Sequence, residues 1–167
     1  MSSGRFDIGS LDSYEEAKKC SVGMIIDNTL LDKLTAQAQA SPRLRMNMDL
    51  RNSSADSSQR MLNAIEPGSV VPVHRHQKTS ETVVVLRGRV VEEYYSSAWV
   101  LEASYELAAG GGARSESGMT EVACALNIPA GQWHTLRALE SGTVILEMKD
   151  GAYEPIGAED VMERYGF

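Results

Sequence analysis

Gly68-Ser-Val-Val-Pro-Val-His-Arg-His-Gln-Lys-Thr-Ser-Glu-Thr-Val-Val-Val-Leu-Arg-Gly88 is the stretch on which the fold turns. It carries two of the chain's three histidines, His74 and His76, and a glutamate, Glu81, just beyond them. On a β-strand residues i and i+2 point to the same side, so both imidazoles can share one face. The turn Gln77–Ser80 then brings Glu81 back beside them at the start of the next strand. An HxH pair alone is weak evidence, because most histidines are ordinary surface residues. Here the third histidine, His134, follows a Pro129-x-Gly131 turn in a late strand, so the whole histidine complement falls on such positions. Three neutral imidazoles and one carboxylate suit a first-row divalent metal and leave about two octahedral positions open.

Working outward, the sequence divides into short apolar segments separated by turn residues. Strands are expected at Arg60–Glu66, Val70–His76, Thr82–Arg87, Arg89–Tyr95, Trp99–Leu107, Thr120–Ile128, Trp133–Leu139 and Thr143–Lys149. Pro67-Gly68, Gly88, Ser96-Ser97, Gly110–Gly118, Pro129–Gly131 and Ser141-Gly142 separate them. Eight strands at this spacing predict an all-β chain, a jelly-roll barrel of two antiparallel sheets. Ahead of it one or two short helices are expected. Ser13-Tyr-Glu-Glu16 has capping-box spacing for a helix to Cys20, and Asp27 or Asn28 can cap a helix bearing Leu30, Leu31, Leu34 and Ala38. Ser41-Pro42 stops it, and residues 43–59 read as an irregular connection. The resulting division, all within one domain, is an arm (1–23), a helix and connection (24–58), the barrel (59–150) and a tail (151–167).

With 167 residues, a net charge of −7 and a pI near 5.0, the chain lacks the clustered cations of a nucleic-acid-binding face. No apolar run approaches the roughly 20 residues of a membrane span, and no signal peptide is visible, so a cytoplasmic protein with reduced thiols at Cys20 and Cys124 is expected. Gly110-Gly111-Gly112 lacks the features of a phosphate loop and reads as a hairpin tip.

Other residues compete for roles at the site. Gln59, Met61 and Asn63 alternate on the strand before the histidines; Gln59 and Asn63 meet a ligand if that face looks inward, and are solvated if Leu62 and Ala64 do. Arg43, Arg45 and Arg60 are the candidates to hold an anion, against surface or ion-paired alternatives. Glu147 faces out if Val144, Leu146 and Met148 fill the core, and toward the metal channel if those residues face the other sheet. Trp133 is expected to point away from the metal, and Lys78 into solvent. Tyr94, Tyr95 and Trp99 read as packing residues.

The spacing Gly68-x5-His74-x-His76-x4-Glu81-x6-Gly88 resembles the first cupin motif. Pro129-x-Gly131-x2-His134 is similar to the second, although Ala123 and Ala138 stand where that motif has Gly and Asn. The resemblance implies a cupin barrel with His74, His76, Glu81 and His134 holding one divalent transition metal, Fe, Mn, Ni or Zn. Across residues 25–153 the chain more narrowly resembles WbuC-type cupin metalloproteins, associated with bacterial surface-polysaccharide (O-antigen) gene clusters. That resemblance implies a small sugar-like or anionic ligand such as a sugar nucleotide, acted on by a metal-dependent isomerase, epimerase or Fe(II) dioxygenase, or held by a non-catalytic binding module. A homodimer that covers edge strands is expected.

Overall fold

The computed structural model describes residues 23–112 and 122–162. The expected Ser13–Cys20 helix, the distal part of the Gly110–Gly118 tip and the start of the Thr120–Ile128 strand lie outside them.

Helix α1 spans Asn28–Ala40, and Asp27 caps it by accepting the Leu30 N–H at 3.0 Å. Ser41 leaves helical geometry just before Pro42. The apolar stripe Leu30, Leu31, Leu34 and Ala38 packs on Leu62, Ala64 and Val144. Fully burying each leucine contributes roughly 1.5–3 kcal/mol.

Eight strands follow: β1 (Arg45–Asp49), β2 (Ser58–Ile65), β3 (Glu81–Arg87), β4 (Arg89–Tyr95), β5 (Leu101–Ala108), β6 (Ala125–Ile128), β7 (Trp133–Ala138) and β8 (Thr143–Asp150). They form two antiparallel sheets, ordered β1-β2-β8-β3-β6 and β5-β4-β7. Val83, Val85 and Ile145 from the larger sheet meet Val90, Leu107 and Ala138 from the smaller one between the layers. The larger sheet is therefore covered on both faces, by α1 outside and by the second sheet inside.

Several segments depart from the sequence-based expectation, among them the expected Thr120–Ile128 strand, which begins as β6 only at Ala125. Part of the 43–59 stretch, expected to be irregular, is strand β1, with Met46 and Met48 packed toward the helix cluster and the alternate positions on the other face. Val70–His76, expected as a strand, is extended but bridges its neighbours only at His74. His74 exchanges backbone hydrogen bonds with His134 on one side (2.9 and 2.8 Å), and Val73 accepts from Met162 on the other (2.8 Å). Pro72 has no N–H for a ladder, and the Val71 carbonyl accepts from the Thr135 hydroxyl instead, which interrupts regular pairing. The fifth strand starts at Leu101 rather than Trp99 because Trp99 has φ 65° in the turn that precedes it.

Gly88 links the two sheets at φ 76°, and a Cβ there would lie 2.9 Å from the Thr143 Cα. Only glycine meets both demands.

Candidate metal centre

Antiparallel register brings the site together. Glu81 pairs with Lys149, which pairs with Gln59, so the three stand in one row across β3, β8 and β2. His134 sits opposite Tyr94 on the inner face of the smaller sheet, and the His74 bridge carries the HxH segment alongside β7. One nitrogen of each of His74, His76 and His134 and one oxygen of Glu81 lie within 4.8 Å of one another.

The side chains around the group prepare it for a cation. Nδ1 of His74 donates to the Pro72 carbonyl and Nδ1 of His134 to the Gln132 carbonyl, both at 2.9 Å. A carbonyl only accepts, so both rings hold their proton on Nδ1 and present the Nε2 lone pair. His134 is 2% exposed and its Nε2 has no hydrogen-bond partner, lying 3.7 Å from Glu81 Oε2. An orphaned lone pair in a buried cluster is costly unless something occupies it. Burial, reinforced by the neighbouring His134, lowers the His74 pKa to about 4, which keeps it neutral near pH 7. Burial pushes the Glu81 carboxyl up, yet neighbouring donors, the Lys149 ammonium at 3.3 Å among them, outweigh that and hold it well below its ordinary range. Three imidazoles and a carboxylate fit a divalent first-row ion.

Three further ionisable residues sit on the inner faces. Lys149, its side chain 9% exposed, places Nζ 3.3 Å from Glu81 Oε2 and 3.2 Å from His76 Nε2, and pairs with Glu147. Burial works against its charge, but Glu81 and Glu147 outweigh burial and raise its pKa. Glu147 accepts from Asn63 Nδ2 at 2.9 Å, and its pKa is raised by burial and by Glu81. Glu92, on the inner face of β4, is 0% exposed with both carboxylate oxygens unpartnered. Burial, then Glu81, Glu147 and Glu93, push its pKa up to about 9.

The Gln59–Met61–Asn63 face looks inward, while Leu62 and Ala64 are buried outside against α1. Gln59 donates to the Ala152 carbonyl at 3.4 Å and lines a cavity of about 200 Å³ with Arg60, Met61, Arg51 and Tyr153. Glu147 points inward because Val144 and Leu146 pack under the helix. The arginines are not brought to the histidines. Arg60 stands on the alternate face of β2, in register with Met148, and is tied to Asp56 at 3.1 Å. Arg45 pairs with Ile65 at the other end of β2, roughly 20 Å along the strand from Gln59. It donates to the Val70 carbonyl, and Arg43 is exposed beside it in sequence. The Trp133 ring lies under the Arg75 guanidinium at 4.5 Å, on the face of β7 opposite His134. Lys78 pairs with Glu154 in solvent, Tyr94 packs edge-on to Tyr105, Tyr95 donates to Glu93, and Cys124 is a free thiol.

Lys149 and Glu92 were not singled out from the sequence. The signal for Lys149 was present: Glu147 and Lys149 alternate with Leu146 and Met148, so a strand whose apolar positions are covered outside must aim its charges inward. Glu92, within VVEEYY, had no comparable marker.

A family model described as a domain of unknown function, DUF6016, matches residues 26–107. No curated protein matches the chain. Among solved structures, a recombinant oxalate oxidase in complex with glycolate is similar at TM-score 0.53 and 16% identity, over 71% of this chain and 57% of that one. KdgF from Halomonas sp. is similar at TM-score 0.49 and 13% identity, over 68% of this chain and 84% of that one. The chain thus spans little more than half the length of the oxalate oxidase it matches. No described helix is long and apolar enough to cross a membrane. Two antiparallel sheets closing over a histidine–glutamate group that suits a metal give this chain the jelly-roll fold of the cupin proteins.

Proposed function

We propose that the protein is a metal-dependent cupin in which His74, His76, Glu81 and His134 hold one divalent transition metal beside a small polar ligand. The observation that carries this reading is the convergence of four donors within 4.8 Å, with His134 Nε2 buried and unpartnered. A metal bound there supplies Lewis-acid polarisation of a ligand oxygen. The chain's own residues do the rest. The Pro72 and Gln132 carbonyls orient two imidazoles, Asn63 fixes Glu147, and Gln59 lies between the 200 Å³ cavity and Lys149. We assign Gln59 and Asn63 to ligand contact or positioning on this inner face, keep Arg60 as a candidate at the cavity it lines with Gln59, and assign no ligand role to Arg43 or Arg45. The oxalate oxidase of similar fold holds glycolate, which supports a ligand of that size. A sugar or sugar-nucleotide ligand of surface-polysaccharide synthesis rests on the WbuC-like sequence pattern alone. Turnover assays with Fe, Mn, Ni and Zn separate an isomerase or dioxygenase from a non-catalytic binding module.

Metal content of protein incubated with each ion and desalted is the direct test. We expect about one ion per chain, and a loss of affinity of about 100-fold or more in His74→Ala and Glu81→Ala. Wild-type protein that retains none of the four ions refutes the reading.

A further inference from the structure

We propose that Lys149 makes the histidine–glutamate group selective for an anionic ligand, its ammonium receiving the ligand's negative charge beside the metal. The inference rests on the metal reading above and adds the chemical class of the ligand.

Position is the first argument. Lys149 Nζ lies 3.2 Å from His76 Nε2 and 3.3 Å from Glu81 Oε2, within reach of two residues of the four-donor group. A molecule entering next to a bound ion therefore meets the ammonium as well. The side chain is held there, since it is nearly buried and paired with Glu147, which Asn63 fixes at 2.9 Å.

Charge is the second argument. A divalent ion and Glu81 together leave one positive charge, and Glu147 matches Lys149. The enclosed group then carries an excess positive charge that solvent screens poorly. Lys149 also repels a bare ion at the donors. A monoanion lying across the ion and Nζ removes both penalties, whereas a neutral ligand removes neither. The alternative is that Lys149 only balances Glu81 and Glu147; such a lysine supports the donors without distinguishing charged from neutral ligands.

The two roles differ in metal affinity, without any assay of turnover. Mn(II) affinity is measured by competition with a fluorescent chelator, alone and with lactate or its uncharged counterpart lactamide. In the wild type, lactate should tighten Mn(II) binding about tenfold or more and lactamide less than about twofold, since coupling between two ligands is reciprocal. Lys149→Met should bind Mn(II) alone at least as tightly as the wild type, and its lactate effect should fall below about threefold. Equal effects of lactate and lactamide in the wild type overturn the inference. So does an undiminished lactate effect, or weaker binding of Mn(II) alone, in a Lys149→Met protein whose circular dichroism is native. If Lys149→Met does not fold, Lys149→Gln is read by the same criteria. Each of these outcomes leaves metal binding standing, whereas no Mn(II) binding by the wild type overturns the metal reading and this inference together.

Discussion

Replacing Glu92 by glutamine should change how stability depends on pH, in a direction the structure specifies. Glu92 is fully buried with neither oxygen hydrogen-bonded, and its pKa is pushed to about 9 by burial and then by Glu81, Glu147 and Glu93. The ordinary carboxyl value is 4.5. Between these values the folded protein keeps a proton that the unfolded chain releases. Stability from this residue is therefore fully present below about pH 4.5 and is lost as pH rises toward 9. One pKa unit corresponds to about 1.4 kcal/mol, so raising the pH from about 5 to 7.5 should remove roughly 3 kcal/mol. Glutamine has nearly the same shape and no proton to lose. Urea unfolding of metal-free wild type and Glu92→Gln at both pH values measures the difference, and comparing the two proteins cancels every other titrating group. Near pH 5 the midpoints should lie close together. Near pH 7.5 the variant should be the more stable by roughly 3 kcal/mol, a midpoint shift on the order of 1 M or more. Parallel pH profiles, or a variant less stable at both values, would refute the reasoning.

Other expectations follow from the same structure. His74, held near pKa 4 by burial and His134, is protonated more readily in the unfolded chain. Its contribution, about 3 kcal/mol, should therefore be present above about pH 6.5 and disappear as pH falls toward 4, and His74→Gln should flatten that limb in metal-free protein. Gly88→Ala should cost about 3 kcal/mol or more in urea unfolding, because the φ of 76° and the close Thr143 backbone leave no room for a methyl group. Leu34→Ala, at a position 1% exposed between helix and sheet, should cost 2–5 kcal/mol by thermal melting, as is typical of about that size of core deletion.

The histidine–glutamate group was legible because the chain has only three histidines and strand geometry dictates what an i, i+2 pair can do. Most strands were legible too, since glycine and proline mark their ends. What alternation could not decide was which side of a strand faced which layer. In β2 and β8 the apolar positions Leu62, Ala64, Val144 and Leu146 lie under α1, and the intervening Asn63, Glu147 and Lys149 face the barrel. A one-faced sheet would have sent those polar residues to solvent. The helix covering the outer face reverses that inference, and no single strand carries the information. β1 was obscured differently, as its Met46 and Met48 alternation is short and flanked by arginines and serines. The arginines themselves suggested anion binding by type, but type does not fix position along a sheet.

The bridge at His74 has a kinetic consequence. Between β2 and β3 the chain is held to its neighbours by scattered backbone hydrogen bonds: Glu66 with Leu44, Val73 with Met162, His74 with His134, Arg75 with Asp160, and His76 with Gly131. Segments tied so sparsely open by local fluctuation long before the whole domain unfolds. Amide exchange at His74 and His134, which protect each other, should thus report excursions of the ligand-bearing segment separately from global unfolding. An ion bound across the two residues would close that local exit, and the slowing of these two amides would measure how firmly it does so.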